Sequence, residues 1–189
     1  MKKLIIMAVG AISLALSATA LAGGPDTDYP MDSSSGFYVG ADAGAAIPGN
    51  LEDLDTGVSA NGQVGYNFGM FRLEAAGNYI RNTVNNTNDD VHLNIITVMA
   101  NGYFDFHNSS IVVPFIGAGA GWLHAWATAD LDGVSFSSPS DNEFAYQGIA
   151  GLGFRATDDL TIDIRYRILS WTDGPGYMNI VEAGFNYFF

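Results

Sequence analysis

The most constraining stretch is Val181 to Phe189, read Val-Glu-Ala-Gly-Phe-Asn-Tyr-Phe-Phe. Val181, Ala183, Phe185, Tyr187 and Phe189 alternate with Glu182, Gly184 and Asn186. A β-strand sends successive side chains to opposite faces, so this stretch predicts one apolar face and one polar face. A row of aromatics gains nothing on a frayed strand end in water. It gains a great deal where the outer face of a sheet meets acyl chains, because such a surface needs an aromatic rim.

The same period of two recurs along the chain. Eight strand-like runs are separated by turn signals: Phe37–Ala45, Gly57–Phe68, Met70–Arg81, Val91–Phe106, Val112–Thr128, Phe144–Arg155, Leu160–Leu169 and Val181–Phe189. Leu160–Leu169 is the clearest, with Ile162, Ile164, Tyr166 and Ile168 on one face and Asp163, Arg165 and Arg167 on the other. In Val112–Thr128 the predicted outward row is Ile116, Ala118, Ala120 and Trp122. That leaves Gly117, Gly119 and Gly121 pointing inward, where they make room for large neighbours.

The connections sort by length. Ala46–Thr56, Asn82–Asp90, Ala129–Asn142 and Thr172–Met178 are longer and polar, whereas the joints at Gly69, His107–Ser110 and Thr157–Asp159 are tight. Short turns at one rim and long loops at the other is the layout of a bacterial outer-membrane barrel. No run after the N-terminal leader is long and apolar enough for a membrane-crossing helix, so a spanning sheet has to close on itself. The first strand is therefore predicted to pair with the last.

The leader itself has Lys2 and Lys3, an apolar core from Leu4 to Leu16 and the small-x-small triplet Ala20-Leu21-Ala22. It predicts a secretory signal over residues 1–22, cleaved after Ala22. Residues 23–35, with Pro25, Pro30 and a serine run, read as a flexible segment. Residues 36–189 read as the barrel. Without the leader the chain keeps five arginines against 20 acidic residues, a formal charge of −15. Such acidity argues against nucleic acid as a partner, and the absence of cysteine removes disulfides, thiol nucleophiles and a lipoprotein anchor.

The charges lie on the face that carries Asn and Gln, and the opposite face is nearly free of charge. An eight-stranded barrel is just wide enough to be filled by side chains. The charged face is thus predicted to line the lumen, with Asp42, Arg72, Glu74, Arg155, Asp163, Arg165, Arg167 and Glu182 forming an ion-pair network and Asp105 beside it. Arginine suits this better than lysine, because its planar fork pairs with two carboxylate oxygens.

Several motifs carry a family resemblance: Phe37-Tyr38-Val39-Gly40-Ala41, Val64-Gly65-Tyr66-Asn67-Phe68, Arg72-Leu73-Glu74, Ala100–Phe106, Pro114–Gly121 and the final Phe189. They resemble the small outer-membrane β-barrels, which include the opacity-type surface antigens and barrels similar to outer membrane protein A. The resemblance implies an all-β, eight-stranded antiparallel up-and-down transmembrane β-barrel in a Gram-negative cell. It implies that Phe185, Tyr187 and Phe189 are the signal read by the barrel-assembly machinery, with periplasmic chaperones as further partners. It also implies a structural, adhesive or narrow-pore role, since such barrels are known in all three.

An enzyme is not expected. Some barrels modify the acyl chains of lipid A with a His, a Ser and a carboxylate. Here His92 and His124 lie toward the predicted extracellular ends, with no serine two residues away, and His107 lies in a predicted periplasmic turn. A base without a nucleophile in reach has nothing to activate. The acidic loop residues, among them Glu52, Asp53, Asp55, Asp89, Asp90, Asp130 and Asp132, lack the spacing of a calcium loop, so no metal or cofactor is expected. The reading is a structural or surface-interaction barrel in contact with outer-membrane lipid and lipopolysaccharide, its loops offered to host surface molecules or neighbouring cells. A narrow pore for small solutes is the alternative, and a lipid A-modifying enzyme the third reading.

Overall fold

A computed structural model of the protein describes residues 35–49, 55–83, 90–106, 110–131, 134–137, 141–172 and 176–189. The expected leader and the flexible segment before Ser35 lie outside the described residues, as do Glu52, Asp53, Asp89, Asp132 and His107. Every described element is a strand. These are β1 (Gly36–Pro48), β2 (Gly57–Asn67), β3 (Phe71–Thr83), β4 (Asp90–Asp105), β5 (Val112–Leu131), β6 (Val134–Ser137), β7 (Asp141–Arg155), β8 (Leu160–Trp171) and β9 (Tyr177–Phe188). All neighbours are antiparallel, and β1 pairs with β9 in the register Ala41↔Phe185, closing an eight-stranded barrel. Among the described residues the short β6 pairs with the end of β5 alone, through Thr128↔Ser137 to Leu131↔Val134, and extends the sheet beyond the barrel.

The observed strands run further at the long-loop rim than the sequence pattern suggests. β1 continues to Pro48, β8 to Trp171, and β9 begins at Tyr177 rather than Val181. The reason is that the alternation blurs above the membrane, where both faces of a strand meet polar surroundings, while ladder hydrogen bonds still hold the backbone. The stretch 129–142, expected as a loop, contains the β5–β6 hairpin for the same reason.

The turn between β2 and β3 is as tight as its sequence requires. Gly69 has φ of 96°. Its amide donates to Asn67 Oδ1 at 2.9 Å, and Phe68 N donates to Phe71 O at 2.8 Å. A side chain at Gly69 would be strained in this left-handed conformation.

Exposure follows the period of two. In β3 the alternation is unbroken, with Phe71, Leu73 and Tyr79 outward and Arg72, Glu74 and Asn78 inward. The outward surface carries two aromatic belts, as a membrane-crossing wall should. At the short-turn rim Phe37 packs edge-on to Tyr66 at 4.9 Å, Phe71 to Phe104 at 5.1 Å and Tyr187 to Phe189 at 5.2 Å between ring centroids. Toward the long-loop rim Trp122, Phe144 and Tyr146 stand on adjacent strands. Two outward asparagines in the wall are each capped by a tyrosine of the neighbouring strand. Tyr79 Oη donates to Asn94 Oδ1 at 2.7 Å and Tyr166 Oη to Asn179 Oδ1 at 2.6 Å. Both asparagines are buried, and without the tyrosine each amide would lose a partner in a desolvated position.

Inside, bulky side chains are opposed across the ladder by glycine. Tyr38 faces Gly65, Tyr103 faces Gly117, Phe115 faces Gly151, Asn101 faces Gly119 and Asp42 faces Gly184, each as a direct register pair. A Cβ at Gly117 would lie 2.6 Å from the Tyr103 ring, and one at Gly184 would collide with the Asp42 carboxylate. The narrow lumen is packed by this alternation of large and absent side chains.

Candidate functional site

The lumen is filled in three levels. At the short-turn end, Arg72 pairs with Asp105, Nε to Oδ2 at 2.7 Å and Nη2 to Oδ1 at 2.9 Å. Its guanidinium carbon also lies 4.9 Å from the centroid of the Tyr103 ring and 5.1 Å from that of Phe115. Cation, carboxylate and aromatic faces thus share one desolvated pocket.

The middle level holds the largest cluster. Arg165, 2% exposed, lies with Nη1 3.4 Å from Asp42 and 3.9 Å from Glu74, and Nη2 3.3 Å from Asp163. Arg167 grips Glu182 with two donors, Nε to Oε2 at 2.8 Å and Nη2 to Oε1 at 2.6 Å, and donates from Nη1 to Gln147 Oε1 at 3.0 Å. Neutral donors supplement the arginines. Glu74 accepts from Tyr103 Oη at 2.7 Å, Tyr38 Oη at 3.0 Å and Asn101 Nδ2 at 3.0 Å. Ser59 Oγ donates to Glu182 at 2.6 Å, Asn61 Nδ2 to Asp42 at 3.0 Å, and Asn186 to Asp163. Five carboxylates and three guanidiniums therefore share the lumen, and the surplus of negative charge is met by amides and hydroxyls rather than by more arginine. A buried carboxylate left without such donors would cost several kcal/mol.

The third level, toward the long loops, is apolar. Ile80, Ile95, Met99, Leu123, Leu169, Met178 and Ile180 are buried together with Ala46 and Ala145. The period-two pattern predicts an interior that is polar throughout, because Met178 falls in an expected loop and Ile180 before an expected strand. The usable signal was that Leu169, Met178 and Ile180 keep the inward parity of Arg167 and Glu182.

Arg155 departs from expectation. It has inward parity but is exposed at the last position of β7, opposite Thr161 at the barrel mouth. None of the ion pairs among the described residues includes it. At the mouth its long side chain keeps its charge in water, and a buried partner would offer no gain over that hydration. Asp105, which the sequence placed beside the network, takes the role of partner to Arg72.

Of the aromatic row, Phe185, Tyr187 and Phe189 all face outward and are exposed to the membrane side. Phe189 is fixed by its amide, which donates to Phe37 O at 2.9 Å. His124 and His92 also lie on the outer wall. His124 Nδ1 sits 2.8 Å from Asn142 Oδ1, and His92 Nδ1 sits 3.4 Å from Thr83 Oγ1. Among the described residues no three His, Cys, Asp or Glu side chains are grouped to hold a metal.

This architecture matches known proteins. The sequence model of the outer membrane protein beta-barrel domain family matches residues 8–189. The outer membrane protein PagN of Salmonella typhimurium is 36% identical over 93 residues, 43% of this chain and 39% of PagN. The chain spans less than two thirds of the length of the curated relatives it matches. Neisserial surface protein A superposes with a TM-score of 0.64 at 25% identity, covering 82% of this chain and 98% of that one. The attachment invasion locus protein Ail of Yersinia pestis, also solved with the heparin analogue sucrose octasulfate, superposes with a TM-score of 0.54 at 18% identity over 82% of this chain and 97% of Ail. A closed barrel with oily wall and ionic lumen, matched over nearly its whole length by one family, places this protein in the cell outer membrane as a member of the outer membrane protein beta-barrel family.

Proposed function

We propose that this protein is a plugged outer-membrane barrel that acts through its extracellular rim as a contact surface and performs no chemistry of its own. The observation that carries this reading is the filled lumen. An ion-pair level and an apolar level lie in series, so a solute would have to displace both. Function is then left to the loops, as is common for loops on a rigid scaffold. Glu52, Asp53 and Asp55 in one loop and Asp89 and Asp90 at another make that rim acidic. The heparin analogue crystallised with Ail is a polyanion; an acidic rim suits a cationic partner instead, with salt-sensitive association.

The test is adhesion of cells that display the wild type or the triple variant Glu52→Gln, Asp53→Asn, Asp55→Asn. Wild-type cells should bind a polylysine-coated surface above a vector control, with binding reduced by salt and by the variant. Equal binding by vector, variant and wild type would overturn the rim assignment. The outward row Phe185, Tyr187 and Phe189 is assigned the further role of recognition by the barrel-assembly machinery, beside its place in the aromatic belt.

A further inference from the structure

The outer wall carries few basic groups, and most of them meet in one place. Arg81 of β3 is directly opposite Asn94 of β4, which is opposite Trp126 of β5. One row up, Thr83, His92 and Thr128 are opposed in the same way. One row down come Tyr79, Ile96 and His124. Directly opposed residues share a face, so these rows form one lattice on the outside of three adjacent strands. The chain has five arginines; three are buried in the lumen and Arg155 sits at the opposite rim, which leaves Arg81 as the cation of this wall. None of the ion pairs among the described residues involves Arg81.

Depth fits the placement. From Phe71 in the lower aromatic belt to Arg81, β3 climbs about 25 Å along the membrane normal at about 3.3 Å per residue and about 40° tilt. That is the height of an outer-membrane hydrocarbon band, so Arg81 stands where headgroups begin. The surrounding groups are those of an interface. Tyr79 and Trp126 present apolar bodies with polar tips, and the His124 ring packs 5.6 Å from that of Trp126. The hydroxyls of Thr83 and Thr128 flank His92, and Asn94 is already held by Tyr79.

We infer that this Arg81 lattice binds a phosphate of the phosphorylated glycolipid of the outer leaflet, that is, the lipid A headgroup of lipopolysaccharide. An exposed guanidinium at headgroup depth matches a phosphate by charge and by its fork of donors, whereas the acidic loops above could hold such a lipid only through a bridging cation. The two modes are distinguishable. This site goes beyond the rim reading above and stands or falls independently of adhesion.

The experiment is native mass spectrometry of the full chain folded in phosphatidylcholine nanodiscs doped with bis-phosphorylated lipid A, phosphate-free lipid A or phosphatidylglycerol. Wild type should retain bis-phosphorylated lipid A, and Arg81→Gln should retain about tenfold less, the loss of one charge-assisted contact. His92→Gln should reduce retention by a smaller factor. Retention by the wild type should survive chelation with EDTA. Unchanged heat-shifted gel mobility of each variant confirms that the barrel has folded. Equal retention by wild type and Arg81→Gln would overturn the site. So would retention of phosphate-free lipid A at the same level, or retention abolished by EDTA. Equal Arg81-dependent enrichment of phosphatidylglycerol would overturn the assignment to the glycolipid.

Discussion

Replacing Arg165 with alanine removes the single cation shared by Asp42, Glu74 and Asp163. All four side chains are buried, and Arg165 is 2% exposed. Breaking a buried pair by deleting one partner costs about 3–5 kcal/mol, because the remaining charge stays desolvated. Three carboxylates are left here, but Tyr38 and Tyr103 still donate to Glu74, Asn61 to Asp42 and Asn186 to Asp163, so a loss of about 4 kcal/mol is expected. At a urea slope of about 2 kcal/mol per molar, the unfolding midpoint in detergent should fall by about 2 M. Tryptophan fluorescence and gel mobility before and after heating would both follow it. The triple variant Arg165→Met, Asp42→Asn, Asp163→Asn should recover most of the loss, since removing a charge with its partners is far cheaper than orphaning them. An unchanged midpoint for Arg165→Ala would refute the inward placement of this face. A triple variant no better than the single one would show that lost packing, not orphaned charge, sets the cost.

Glycine substitutions should divide by face. Gly44→Ala places a Cβ 2.7 Å from Glu182 Cα and should cost about 1–3 kcal/mol in the same unfolding assay, whereas Gly62→Ala meets nothing within 4 Å and should be neutral or slightly stabilising. In planar bilayers the wild type should show no steady conductance; large, lasting steps would contradict the two-level plug. Phe189→Ser should lower the amount of barrel assembled in cells more than it lowers stability in detergent, where about 1 kcal/mol is expected for one exposed aromatic pair. Equal losses in both assays would assign Phe189 to the belt alone.

Much of the barrel was legible because the side-chain period of a strand is two and the hydrocarbon band excludes charge from the outer face. Leu160–Leu169 shows this most plainly, where Asp163, Arg165 and Arg167 face in while Ile162, Ile164 and Ile168 face out. The inward glycines were legible too, since Gly117, Gly119 and Gly121 share one parity and sit opposite Tyr103, Asn101 and Met99. Pairing within the lumen was not. Parity gives the face of a side chain but not its height, so it could not separate Arg155 at the mouth from Arg167 at mid-height, nor give Asp105 to Arg72. The apolar level was hidden for a related reason. An inward leucine and an outward leucine look alike in a sequence, and only the continued register from Glu182 through Ile180 to Met178 assigns them inside.

The most direct test of the inverted barrel is nitroxide accessibility along β8. The chain has no cysteine, so single cysteines can be introduced and labelled one at a time from 162 to 168. In lipid bilayers, labels at 162, 164, 166 and 168 should collide readily with oxygen dissolved in the membrane, and labels at 163, 165 and 167 should be shielded from it. Oxygen accessibility that peaks at 163, 165 and 167, or that shows no period of two, would contradict a wall turned toward lipid and an ionic interior.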